Sequence, residues 1–241
     1  MKPVKIYGFT IVETMLFLGI SSLLVLGVLV GTGSAINIQR YRDSVTSMQS
    51  FLQQQYSNVA NVSNDNSGNL KCYGDNSTLP TGQSDCVILG EFITTNGAKE
   101  LTTQDVVGYD NSSSLPSNDL TALQAYDIQL SPVAPETYDI SWGASLQKAD
   151  GSQLQFSMLI VRSPFSGAIQ TFIDTDSTGV ITGDSQHPLS GFLTTQYLTN
   201  DATICINSNG LFTGNSMAVY IEKDASSSSG VETKGADSGC R

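Results

Sequence analysis

Side chains that could do chemistry are few in this chain of 241 residues. It has a single histidine, His187, which lies beside Pro188 in a polar stretch. The sequence has no GxSxG nucleophile motif, no glycine-rich phosphate loop and no HExxH zinc motif. It therefore does not predict an enzyme, and it predicts no cofactor.

The four cysteines are the residues most clearly able to form covalent bonds, as disulfides. They are widely spaced and form no CxxC pair, whereas a zinc site would need closely spaced ligands and usually more histidine. An even number of cysteines is typical of disulfides formed in an oxidising compartment. Sequence order favours Cys72–Cys86 and Cys205–Cys240, although four cysteines allow three pairings.

One acidic segment has part of the spacing of a calcium loop. Asp174, Asp176 and Thr178, followed by Gly179, match the first positions of an EF-hand loop. Position twelve, where a bidentate Glu is needed, is Ser185. Because Asp and Gly are also common in turns, a plain turn is the favoured interpretation, with Asp174 and Asp176 as a weak metal candidate.

The N-terminal segment combines one carboxylate with a long apolar run. Glu13 is the only charged residue in positions 9–39, and the run is long enough to span a bilayer as a helix. Lys2 and Lys5 precede it, so the positive-inside rule places the N-terminus in the cytoplasm. A cleaved signal peptide is the alternative. The carboxylate disfavours it, since one inside a membrane helix costs about 2.5–3.5 kcal/mol.

The helical pattern continues past the apolar run, with no proline from Phe9 to Asn61. One face carries apolar or aromatic residues at every third or fourth position, and the opposite face is polar or charged. We therefore predict a membrane-spanning half at 9–33 and an amphipathic half at 34–62. The residues of the apolar face are Ile38, Tyr41, Val45, Met48, Leu52 and Val59, with Gln55 as the one polar member.

Residues 8–13, Gly-Phe-Thr-Ile-Val-Glu, resemble the prepilin-peptidase site of type IV pilins and type II secretion pseudopilins. That family has a short basic leader, Gly then Phe, Glu at the fifth mature position and an apolar helix. The resemblance implies a leader at 1–8, cleavage between Gly8 and Phe9, and N-methylation of Phe9. It also implies that Glu13 pairs with the free amine of Phe9 in a neighbouring subunit. The proline of many major pilins' membrane helices is absent.

A looser resemblance lies nearer the C-terminus and covers about a third of the region after the helix. Residues 170–184 form an Asp-rich turn after a strand, and 202–212 form a strand followed by Asn-Gly. This order is similar to that of H-type minor pseudopilins and related minor pilins, and it implies a minor subunit. Residues 64–165 carry no such pattern.

These resemblances imply a minor structural subunit of a type IV pilus or type II secretion pseudopilus, anchored once in the bacterial cytoplasmic membrane with its C-terminal domain outside. Its partners would be prepilin peptidase, other pilins or pseudopilins, the assembly machinery and the membrane. The alternatives are a filament-tip module for adhesion or DNA uptake, and the major pilin. A net charge of −11, with every acidic residue except Glu13 at or after Asp43, disfavours generic nucleic-acid binding.

Residues 63–241 are predicted to form a β-rich extracytoplasmic domain, since they are rich in turn-forming residues and the chain is only 14% charged. The predicted fold class is α+β, with the long N-terminal helix packed on antiparallel sheet. We expect a helical turn from Thr121 and a hairpin turn at 149–152. The predicted strands are 87–94, 126–130, 137–146, 154–161, 168–172, 202–207 and 216–222.

Overall fold

The computed structural model describes residues 8–61, 72, 86–110, 115–175, 189–210, 214, 216–235 and 237–240. In these ranges one long helix, two short helices and ten strands follow one another, and all the strand pairs are antiparallel. The predicted α+β class is confirmed at that level. The elements are α1 Ile11–Ala60, β1 Val87–Asn96, β2 Glu100–Asp110, α2 Asp119–Ala125, β3 Tyr126–Leu130, β4 Glu136–Asp139, β5 Ser145–Gln147, β6 Ser157–Arg162, β7 Ile169–Asp174, α3 Thr195–Leu198, β8 Ala202–Asn207, β9 Met217–Ile221 and β10 Val231–Lys234.

Helix α1 has 50 residues and is roughly 75 Å long at 1.5 Å per residue. Thr10 is its N-cap, and the Thr10 hydroxyl accepts a hydrogen bond from the Glu13 amide at 3.3 Å. At the other end the Asn61 amide donates to the Ser57 carbonyl. The helix therefore ends at Ala60, two residues before the predicted boundary at 62. The polar turn expected at 64–68 lies outside the described residues.

The two halves of α1 have different surroundings. Up to Ile36 almost every side chain is exposed, whereas from Tyr41 onward one face is buried. That buried face follows the 3.6-residue period expected from the sequence. It consists of Tyr41, Ser44, Val45, Met48, Leu52, Gln55, Tyr56 and Val59.

Two antiparallel sheets pack against the second half of α1. The larger sheet has the strand order β3-β2-β1-β6-β7, and β4 pairs with the other end of β2. The smaller sheet has the order β10-β9-β8-β5. A tight turn joins β1 to β2 through Gly97, whose φ of 78° is accessible to glycine without strain.

The main core lies where α1 meets both sheets. It joins Val45, Met48 and Leu52 of the helix to Ile160 in the larger sheet and Ile204 in the smaller one. A second cluster of buried apolar residues lies on the opposite face of the larger sheet, beneath helices α2 and α3. The larger sheet is thus buried on both faces, which explains the continuous apolar run of β6.

One predicted strand was wrong, whereas the predicted hairpin turn beside it forms. The stretch 137–146 is two strands in different sheets, because Trp142 (φ 59°) and Gly143 (φ 74°) turn the chain between β4 and β5. The turn at 149–152 does form, since the Lys148 amide donates to the Ser152 carbonyl. Gln147 at the end of β5 forms an antiparallel bridge with Gln153 across this turn, although β5 and β6 themselves do not pair. Strand β5 pairs with β8, whereas β6 pairs with β1 and β7.

Two strands were missed in the sequence, β2 and β10. Strand β2 is rich in polar residues, but half of it is buried because both faces of the sheet are covered. Strand β10 follows the serine-rich segment that looks like a loop, yet it pairs with β9 along its whole length. Gly230 just before it is buried, and a Cβ there would lie 2.7 Å from the Ala225 Cβ.

Candidate functional site

The apolar half of α1 is the largest exposed apolar surface among the described residues. Its large apolar side chains are between 51% (Ile36) and 76% (Ile11) exposed, and they lie on all sides of the helix. Within the described part of the chain this helix is long and apolar enough to cross a membrane, by length and composition. A helix that is apolar all round requires an apolar environment such as lipid or other helices.

Glu13 is the one charged group in this surface. It occupies the third position of α1, where its amide is capped by Thr10 and its carboxylate faces the positive end of the helix dipole. Thr10 and Glu13 thus match the Thr-x-x-Glu pattern of a capping box, a local signal in the sequence that was missed. Phe9 and Gly8 precede the helix and are exposed, so a peptidase site there would be accessible.

The second half of α1 is fixed to the sheets by buried hydrogen bonds. The Tyr41 hydroxyl donates to the Ile206 carbonyl at 2.7 Å and accepts from the Met217 amide at 2.6 Å. Burial of this hydroxyl raises the pKa of Tyr41 above its ordinary value. Farther along the helix, the Tyr56 hydroxyl bonds to Thr171 at 3.0 Å. The apolar half of α1 therefore continues directly from a half that is fixed to the globular domain.

The cysteines form two disulfides, Cys72–Cys86 and Cys205–Cys240, each with a Cα–Cα distance of 5.7 Å. These are the pairs that sequence order favours. Cys205 is buried in β8, so the second disulfide attaches the C-terminal segment to the smaller sheet.

The weak calcium-loop candidate is described only in part. Asp174 is the last residue of β7 and lies opposite Ser157 of β6. Asp176 and His187 lie outside the described residues. In the ranges that the structure describes, no three acidic, His or Cys side chains are close enough together to hold a metal ion directly.

A group of carboxylates beside the C-terminal end of α1 was missed in the sequence. Glu91 of β1 lies opposite Asp105 of β2, and Glu136 of β4 lies opposite Thr103, two residues before Asp105. Opposed and alternate residues share one face of a sheet, and this face is the one covered by α1. Glu91 within the apolar run 87–93 was the available sequence signal.

Two cavities of about 320 Å³ and 260 Å³ open beside this group, and we call them together the carboxylate cavity. Both are lined by Glu91, Asp105 and Asn58, the last from the final turn of α1. Burial, then repulsion from Asp105 and Glu136, raises the pKa of Glu91 to about 7, against the lowering effect of the Asn58 amide. The pKa of Asp105 is also raised, by burial and by Glu136.

The carboxylate cavity should make stability depend on pH. In the unfolded chain Glu91 ionises near pH 4.5, whereas in the folded chain it ionises near pH 7. The free energy of unfolding should therefore fall as the pH rises from about 4.5 to 7 and level off above that. We expect Glu91→Gln to increase the stability at pH 8 by on the order of 2 kcal/mol, allowing for partial exposure, and to change it little at pH 4.

Urea unfolding at pH 4, 6 and 8 in EDTA measures this effect. Glu232→Gln is the matched control, because Glu232 is an exposed carboxylate on β10. A Glu91→Gln chain that loses stability at pH 8 would contradict this prediction, because it would show that the folded protein stabilises the charged Glu91 carboxylate.

Comparisons with known proteins do not assign the chain to a family. Neither the protein-family models, nor the curated proteins, nor the solved structures give a match. A function has therefore to be inferred from the chain's own residues, above all those of its N-terminal helix.

Proposed function

We propose that this protein is a membrane-anchored structural subunit of the type IV pilin and pseudopilin class. The observation that carries the proposal is the continuity of α1. Its first half is apolar and exposed on all sides, and it runs without a break into a half that forms the core of the domain. Such a helix can lie in a membrane and later pack into a bundle of identical helices without refolding of the domain.

The few polar side chains in the apolar half fit an apolar environment. The Ser22 hydroxyl donates to the Leu18 carbonyl at 2.8 Å, and the Thr32 hydroxyl donates to the Val28 carbonyl at 2.9 Å. Thr14 donates to the Ile11 carbonyl at 2.9 Å. Each of these three hydroxyl hydrogens is thus bonded within the helix, which is how Ser and Thr are accommodated where there is no water.

Glu13 is different, because no side chain of its own helix neutralises its charge. In a membrane or a filament core an ionised carboxylate is expensive unless a cation lies beside it. After cleavage between Gly8 and Phe9, the new amine of Phe9 would lie four residues before Glu13. A neighbouring subunit, shifted along the filament axis, would bring such an amine to this carboxylate and so fix the axial register.

The disulfides support placing the globular domain outside the cytoplasm, where such bonds form and persist. Prepilin peptidase, other pilins or pseudopilins and the assembly machinery are the proposed partners. We propose a minor rather than a major subunit because of the resemblance of residues 170–184 and 202–212 to H-type minor pseudopilins.

Substitution of Glu13 tests the proposed role of the helix. We expect Glu13→Ala to insert in the membrane at least as well as the wild type, because the carboxylate opposes insertion. It should be depleted at least tenfold from filaments, since the proposed subunit pairing is lost. Quantitative immunoblots of membranes and of sheared filaments measure both outcomes.

Two further substitutions separate charge from helix capping. Glu13→Gln removes the charge but keeps the side-chain size, and it should behave like Glu13→Ala. Thr10→Ala removes the helix cap but keeps the carboxylate, and it should assemble almost normally. Normal incorporation of both Glu13 variants would count against the charge pairing.

A further inference from the structure

The carboxylate cavity concentrates negative charge for which the described residues supply no cation. Glu91, Asp105 and Glu136 interact with one another through repulsion, and the groups that act on Glu91 and Asp105 include no basic side chain. Helix α1 ends beside them with no basic residue in its last turn, so the negative end of its dipole adds to the same potential.

Thr103 gives an independent indication of a ligand. It lines the smaller cavity, is 7% exposed, and its hydroxyl oxygen has no hydrogen-bond partner among the described residues. Buried hydroxyl groups nearly always have a partner, and one without calls for an explanation such as an ion or a water. Hydroxyl and carboxylate oxygens are the kind of ligand that hard divalent cations prefer.

The size of the cavity and the spacing of the carboxylates indicate how such an ion would be held. The smaller cavity, of about 260 Å³, has room for several waters besides an ion, at about 30 Å³ for each water. Among the described residues no three carboxylates are close enough to ligate one ion directly. One or two direct carboxylate ligands, with waters bridging to the other oxygens, fit this spacing and the chemistry of hydrated divalent cations.

We propose that the carboxylate cavity binds a divalent metal cation, Ca²⁺ or Mg²⁺, which keeps part of its hydration shell. Glu91 and Asp105 supply the principal charge, and Glu136 and the Thr103 hydroxyl complete the oxygen-lined wall. Because Asn58 lines the same cavity from the last turn of α1, the ion joins the end of the helix to β1, β2 and β4. This site is independent of the proposed role in a filament.

The test is thermal unfolding of the full-length chain in detergent at pH 7.5, after treatment with EDTA. We expect CaCl₂ or MgCl₂ to raise the unfolding temperature by several degrees and to reach saturation, because a ligand of the folded state stabilises it by mass action. NaCl at matched ionic strength controls for screening of the carboxylates and should give a much smaller rise. An equal rise in NaCl, or no rise with either divalent salt, would overturn the proposal.

Substitutions locate the ion. Glu91→Gln should abolish the saturable rise while the chain remains folded, and Glu232→Gln on β10 should retain it. Thr103→Val removes the hydroxyl that lacks a partner, so it should weaken the response to Ca²⁺ and Mg²⁺ without lowering the stability measured in EDTA. A response that persists in Glu91→Gln but disappears in Asp174→Asn would place the ion at Asp174, at the end of β7, and refute a site in the carboxylate cavity.

Discussion

A Gly8→Arg chain is expected to stay in the membrane as a full-length precursor and to be missing from filaments. The proposed cleavage lies between Gly8 and Phe9, and a long charged side chain there would block the peptidase. The substitution should not disturb folding, because among the described residues no atom other than those of adjacent residues lies within 4 Å of a Cβ at Gly8. Loss of processing should be nearly complete.

Intact-protein mass spectrometry of membranes and filaments decides the outcome. The wild-type filament protein should begin at Phe9, and the variant should begin at Met1. Gly8→Ala is the matched control, since it adds one methyl group in the same open space and should be processed at least in part. A wild-type chain that begins at Met1 or Ala35, or a Gly8→Arg chain that begins at Phe9, would refute the proposed processing.

Removal of the Cys205–Cys240 disulfide is expected to have the largest effect on stability. The two cysteines are 35 residues apart, and a bridge of that span restrains the unfolded chain by about 3–4 kcal/mol in the entropic description. Cys240→Ser should therefore lower the free energy of unfolding by about that amount. The folded domain should persist, because β10 still pairs with β9 and Gln49 of α1 still donates to the Val231 carbonyl at 3.1 Å.

Urea unfolding and limited proteolysis measure the two parts of this prediction. Proteolysis should begin beyond Lys234, where the disulfide is the main attachment, while the second half of α1, whose face is buried from Tyr41 onward, stays protected. Ser238→Ala is the matched control, because it removes the hydrogen bond from the Ser238 hydroxyl to the Ser216 carbonyl but keeps the disulfide. Equal stability of the wild type and Cys240→Ser would show that the bridge does not restrain the unfolded chain.

The sequence predicted the elements whose signals are local. Helix α1 has a capped start at Thr10, no proline and an apolar period that continues to Val59, so its face and most of its length follow from the sequence. Strands β3 and β8 were predicted with their observed bounds, because each is a short run with alternating β-branched, aromatic or aliphatic residues that ends at a turn-forming serine. Strand β2 was missed because its many polar residues do not give a strand pattern. It is half buried only because other elements cover both faces of its sheet.

The carboxylate cavity follows from topology and not from any motif. Glu91, Asp105 and Glu136 lie in three different strands, and only Glu91, in an apolar run, gives any local signal. They face the same space only because β2 pairs with β1 along its length and with β4 at one end. No sequence period predicts that register, so this site could be found only in the folded chain.

The sequence by itself determined the N-terminal anchor-like helix, the proposed processing site and the favoured pairing of cysteines, because each depends on residue types along a short or continuous stretch. Tertiary structure alone decided that the chain passes from the larger sheet to the smaller one at Trp142, between β4 and β5. It also decided that β10 forms the edge of the smaller sheet and that three carboxylates share one cavity. The physical reason is that a side chain's exposure and charge interactions depend on which distant segments pack around it. For Glu91 that packing raises the pKa to about 7, whereas the sequence alone would give it the pKa of an ordinary glutamate.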